Sequence, residues 1–166
     1  MQRRQFLLFS SFLGMASCLK AKELSQFEKD FIQVETIIEA VQEHMFPQKS
    51  KIPSAKEMKS TQFLFATVAH KSFDKDIRAF VLEGAKELRD RENGRFVSMT
   101  HKEKEEALRA YENTNYGSAW LSRIMTLTME GMFGDSIYGS NIKEKGWKAL
   151  QSYGGKPRPT KRYLAS

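Results

Sequence analysis

The run Glu130–Trp147, EGMFGDSIYGSNIKEKGW, gathers residue types that chemistry often uses. It has carboxylates at Glu130 and Asp135, hydroxyls at Ser136, Tyr138 and Ser140, an amide at Asn141, and glycines at 131, 134, 139 and 146. A phosphate-binding loop of the form G-x-x-x-x-G-K-[ST] needs a Lys to meet the phosphates and a hydroxyl to meet magnesium. Gly134 and Gly139 have that separation, but Ser140 and Asn141 stand where the Lys and the hydroxyl belong. A dinucleotide fingerprint needs G-x-G-x-x-G between a strand and a helix, and neither the spacing nor the strand is present. Ser136 and Ser140 are not framed as a G-x-S-x-G nucleophile elbow. Nor do the residues around Asp135 follow a calcium-loop spacing. General acid–base catalysis from Asp135 or Glu130 needs a second positioned polar group, and no pair at fixed spacing is recognisable. A self-sufficient hydrolase is therefore the least supported reading.

Other chemistry-bearing residues are sparse. Cys18 is the only cysteine, so no disulfide forms within the chain, and without Cys-x-x-Cys-His there is no covalent haem attachment. His44, His70 and His101 lie far apart in sequence, none with a second His or Cys at metal-ligand spacing, and read as exposed or helix-end histidines. Within Glu130–Trp147 a structural role remains. Glycine admits positive φ and close backbone approach. Tyr138 and Trp147 offer large rigid surfaces with a polar handle. Asp135, Ser140 and Asn141 satisfy turn amides through their side chains. The stretch reads as a shaped surface following a helix, either a cap over the chain's own core or a docking face.

The elements that must position it read as helices. At 166 residues, 40% apolar and 11% aromatic, the chain has room for one domain with a real core. From Ser25 onward Phe27, Phe31, Val34, Ile37, Ile38, Val41 and Met45 recur on one face, Ser25 and Glu28 form a capping box, and Pro47 ends the helix. QKSKIPSAKEMKS then reads as a polar linker, with Ser54 capping a helix through Phe63, Leu64, Val68 and Ala69. A third helix starts near Ser72 or Asp74, carries Phe73, Ile77, Phe80, Val81 and Leu88, and stops at Asn93–Gly94. Thr100 and Glu103 make a second capping box before Ala107, Leu108 and Tyr111. A last long helix covers about Ser118 to Met132, with an irregular tail from Gly131. No alternating run long enough for a strand appears, so the fold class is all-α: a single small helical domain with an irregular Gly/aromatic tail. The Met and aromatic stripes read as core.

The N-terminus reads as an address. Arg3 and Arg4 precede an uncharged, mostly apolar run from Phe6 to Leu19, shorter than the roughly 20 residues a spanning helix needs and suited to a signal-peptide core. Arg3-Arg4-Gln-Phe6-Leu7 looks like the twin-arginine signal, which exports folded proteins. Met15-Ala-Ser-Cys18 resembles a lipoprotein cleavage box with Cys18 as the lipidated residue, although Met15 replaces the usual Leu; cleavage near Ala21 or a retained anchor are the other endings. The expected division is residues 1–21 as signal or anchor and 22–166 as the helical domain, facing the periplasm. The net charge is +7, with Arg3, Arg4 and Lys20 in the first twenty residues. Lys and Glu interleave, so no nucleic-acid stripe is expected.

An amphipathic helix leading into Gly-Asp-x-x-Tyr-Gly-x-Asn and then Gly-Trp resembles the small subunit, subunit 3, of membrane-associated gluconate 2-dehydrogenase. VQEHMFP, IPSA and RFVSMTHKEKEEAL agree with that family, as does the Arg3-Arg4 opening; the middle helices match in pattern only. The resemblance implies a small subunit with no redox centre of its own. Its partners would be a large FAD subunit that oxidises gluconate at C2 to 2-ketogluconate and a c-type cytochrome subunit carrying haem. It also implies a complex at the periplasmic face of the inner membrane. A twin-arginine signal on the small chain would let it carry the folded flavoprotein through the export machinery. On this reading Gly131, Phe133, Gly134, Asp135, Tyr138, Gly139, Asn141, Gly146 and Trp147 form the large-subunit contact or its support. The competing reading is a stand-alone periplasmic structural or binding protein, in which the same residues only close the chain's own core.

Overall fold

Residues 24–162 are described by a computed structural model. The expectations placed on Arg3, Arg4, Phe6, Leu7 and Cys18 lie outside these residues. Among the described residues the secondary structure is helical throughout, in the order α1 (Gln26–Met45), α2 (Ser60–Ala69), α3 (Lys75–Arg91), α4 (His101–Glu112), α5 (Asn115–Phe133) and the short α6 (Lys145–Ala149), with single 3₁₀ turns between. The all-α expectation holds. No described helix is long and apolar enough to cross a membrane.

Local chemistry sets most of the helix starts. Ser25 Oγ accepts from the Glu28 amide while the Glu28 carboxylate accepts from the Ser25 amide, and Thr100 and Glu103 repeat the arrangement at α4. Asp74, rather than Ser72, caps α3 by accepting from the amides of Asp76 and Ile77. Asn93 and Gly94 both take positive φ after α3, and the Gly94 amide returns to the Arg89 carbonyl. The last long helix begins three residues earlier than Ser118, because the Thr114 hydroxyl accepts from the Gly117 amide.

One start differs from the sequence reading. Ser54 caps a separate turn through the Glu57 amide, and α2 begins only at Ser60. The supposed polar linker is also partly core. Ala55 and Met58 are buried with Met132, and Phe46, Ile52 and Phe133 pack around them. This small cluster lies where the connection after α1 meets the end of α5, as satellite clusters under long connections do.

The main core lies between α1 and α5 and the helices around them. Phe31, Val34, Ile38 and Val41 of α1 meet Leu64 and Val68 of α2, Val81 and Leu88 of α3, and Trp120, Ile124 and Leu127 of α5. Gly84 makes the α3–α5 crossing possible: a Cβ there would lie 2.1 Å from Trp120 Cδ1. The Trp120 indole N–H donates to the Val81 carbonyl at 3.1 Å, and the Tyr111 hydroxyl donates to the Gly84 carbonyl at 3.2 Å. Both large rings thus enter the core with their polar atoms satisfied. A second buried polar thread crosses three helices. Thr61 donates to Gln42 Oε1 at 2.7 Å, Gln42 Nε2 donates to Thr128 at 2.9 Å, and Thr128 donates to the Ile124 carbonyl at 2.7 Å. Every link is satisfied, which makes the thread a register pin between α1, α2 and α5.

Candidate functional site: the C-terminal motif

The expected irregular tail is more ordered than its composition suggests. α5 continues to Phe133, and 3₁₀ turns at Ser136–Tyr138 and Ile142–Glu144 lead into α6. Gly134 follows directly as the helix cap, its amide returning to the Glu130 carbonyl. Asp135 then caps the first 3₁₀ turn by accepting from the Ile137 amide at 3.0 Å.

Asn141 closes the loop. Its side-chain amide donates to the Gly134 carbonyl at 2.7 Å, and its oxygen accepts from the Gly146 amide at 2.9 Å. One fully buried side chain thus ties both ends of the thirteen-residue segment Gly134–Gly146, and its φ of 46° is one that Asn tolerates better than most residues. Gly146 has no alternative, since a Cβ there would meet the Met132 carbonyl oxygen at 2.2 Å. Trp147 is buried against the end of α5 and donates its indole N–H to the Phe133 carbonyl at 2.6 Å. Gly131 touches the Phe63 ring of α2, its missing Cβ leaving 3.1 Å.

The remaining chain folds back over this loop. Gly154, with φ of 70°, lies on the Trp147 ring, where a Cβ would approach within 2.7 Å. Arg158 reaches across it. Its guanidinium sits 4.2 Å from the Trp147 ring centroid and pairs with Asp135 at 3.1 Å and Glu144 at 3.2 Å. It also donates to the Tyr153 carbonyl at 3.0 Å. The Ile137 amide, with Arg158 beside it, holds the Asp135 carboxyl below its ordinary range.

The nine expected residues therefore divide. Gly131, Asn141, Gly146 and Trp147 are buried and shape the loop from within. Phe133, Gly134, Asp135 and Tyr138 are half-buried, and Gly139 is exposed at a φ of 87°. A half-buried rim on a pre-shaped support is a geometry that can dock a partner without reorganising. Arg158, Gly154 and Tyr153 carry no local signal for this site, because their involvement depends on the tail folding back over Trp147.

A second cluster, also unforeseen, lies where the C-terminal end of α1 meets the start of α4. His44 Nε2 lies 2.7 Å from a Glu105 carboxylate oxygen, and its ring stacks on His101 with centroids 4.4 Å apart. His44 and Arg109 together hold the Glu105 carboxyl below its ordinary range. The helix-end reading of the histidines holds, but two of the three are neighbours in space. Among the described residues no group of three or more His, Cys, Asp or Glu is placed to hold a metal ion.

No curated protein and no solved structure matches this chain. A family model described as gluconate 2-dehydrogenase subunit 3 matches residues 33–155, from within α1 through the loop and Trp147 to the glycines that follow, and the chain belongs to that family.

Proposed function

We propose that this chain is the non-catalytic small subunit of a periplasm-facing dehydrogenase complex that oxidises gluconate to 2-ketogluconate. Its partners are a large FAD-containing subunit and a c-type cytochrome subunit carrying haem, associated with the inner membrane. The supporting observation is the family match over residues 33–155, which takes in the whole Gly131–Trp147 loop. In this role the loop is the docking element. Phe133, Asp135, Tyr138 and Gly139 form the contact, while Gly131, Gly134, Asn141, Gly146 and Trp147 hold it in shape. The chain assists export and assembly of the large subunit, with Arg3, Arg4, Phe6 and Leu7 as the signal read by the twin-arginine machinery.

The test is mild affinity purification of the native protein from a periplasmic and membrane extract. The eluate's visible spectrum and its gluconate-dependent dye reduction are then recorded. A co-eluting flavoprotein with gluconate activity is the expected result. A colourless single chain without activity would overturn the reading. For export, replacing Arg3-Arg4 by Lys-Lys is expected to leave the large subunit in the cytoplasm. A large subunit that reaches the periplasm regardless would remove the carrier role.

A further inference from the structure

The chain's positive charge is concentrated in one part of the structure. Residues 24–142 hold sixteen Lys or Arg against eighteen Asp or Glu, net −2, whereas residues 143–162 hold seven against one, net +6. These twenty residues are gathered by the contacts of Arg158, Gly154 and Trp147, and Arg162 reaches to within 3.7 Å of where a Gly139 Cβ would stand. Lys145 pairs with Glu57, and Arg158 with Asp135 and Glu144. Lys143, Lys148, Lys156, Lys161 and Arg162 are exposed and have no carboxylate partner among the described residues. Among them stand the two most exposed large apolar side chains described, Leu150 at 52% and Tyr153 at 76%.

We propose that this face is a peripheral docking surface for an anionic lipid bilayer. Three features favour lipid over an acidic protein. Lysine supplies four of the five unpaired cations, and lysine is depleted in protein–protein interfaces while it serves well against a diffuse sheet of headgroup charge. Leu150 and Tyr153 stand exposed among these cations, an arrangement that suits shallow insertion at the headgroup boundary. The separation of a net −2 helical body from a net +6 end gives the molecule a charge asymmetry that orients it on a negative plane.

The experiment is co-sedimentation of the full chain with phosphatidylcholine vesicles, with and without phosphatidylglycerol, across a salt series. The apolar N-terminal run is the same in native and variant chains, so differences between them report the C-terminal face. The expected result is binding that requires phosphatidylglycerol and weakens with salt. In K148Q/K156Q/K161Q/R162Q it should fall about fivefold for each cation removed. Tyr153→Ala and Leu150→Ala should weaken it further without altering its salt dependence. Arg158 is left intact because it clamps the loop, and far-UV circular dichroism confirms that each variant is folded. Equal binding to neutral and anionic vesicles, or a quadruple variant that binds like the native chain, would overturn the proposal. So would displacement by polyglutamate combined with no effect of Tyr153→Ala or Leu150→Ala, because the face would then be a site for an acidic protein.

Discussion

Trp147 and Tyr138 separate the two roles assigned to the C-terminal loop. Trp147 is buried, hydrogen-bonded to the Phe133 carbonyl and covered by Gly154 and Arg158. Trp147→Ala is expected to lower stability by about 3–5 kcal/mol, the range for deleting a buried aromatic side chain. Chemical denaturation of the soluble variant measures it. Tyr138 is half-buried, so Tyr138→Ala should leave the melting temperature within a few degrees of native while weakening capture of the large subunit in a pull-down. If Tyr138→Ala instead unfolds the chain, the loop serves the subunit's own core. Asp135 supplies a pH test. Its folded pKa is depressed, first by the Ile137 amide and then by Arg158. Its contribution to stability is therefore present above the ordinary carboxylate value of 3.8 and is lost as pH falls through the lower folded value. Arg158→Gln is expected to raise that folded value while leaving it still depressed, because the amide remains; a carboxyl NMR titration reads both.

At the scale of elements, caps and the buried polar thread carry different loads. Thr100→Ala removes the hydroxyl half of the α4 capping box. It is expected to cost about 1 kcal/mol, seen as a lower denaturant midpoint with an unchanged slope. Gln42 is a harder case, since it joins α1 to both Thr61 and Thr128 in a fully buried setting. Gln42→Leu keeps most of the volume but leaves the Thr61 hydroxyl without an acceptor. The expected cost is about 1–3 kcal/mol, the penalty for an unsatisfied buried polar group, rather than a hydrophobic gain. Thermal unfolding monitored by circular dichroism decides the sign.

For the whole molecule, the question is how far the C-terminal strap is independent of the helical body. The α1–α5 core does not use it: the core side chains of those helices meet one another, whereas residues 150–162 touch the loop through Trp147, Asp135 and Glu144. Ending the chain at Leu150 is therefore expected to preserve the far-UV helical signal while exposing the loop. Limited proteolysis should then cut between Gly134 and Gly146, and the native chain should resist cleavage there. A truncated chain that loses its helical signal would show that the strap belongs to the same cooperative unit as the core.

Helix type, most helix starts and most of the core stripe were legible in the sequence because they depend on local spacing. The Ser25–Glu28 and Thr100–Glu103 boxes, the Asp74 cap and the stripe from Phe31 to Val41 are decided within a few residues of chain. The family motif was legible for the same reason, as a contiguous run of glycines and aromatics. What could not be read locally depended on residues distant in sequence. Ser54 does not cap α2, because the start of that helix follows the packing of Ala55 and Met58 under Met132, 74 residues away from Met58. The run of seven cations and one Glu over residues 143–162 is itself contiguous, but its gathering around Trp147 and Asp135 through Arg158 depends on the fold. Local spacing is enough to specify a helical chain with a shaped Gly/aromatic motif near its end. Folding is needed for Gly84 to make room for Trp120, for His44 to stack on His101, and for Asn141 and Arg158 to close the motif from inside and outside. Each of those outcomes rests on a close approach between segments whose separation along the chain carries no local signal.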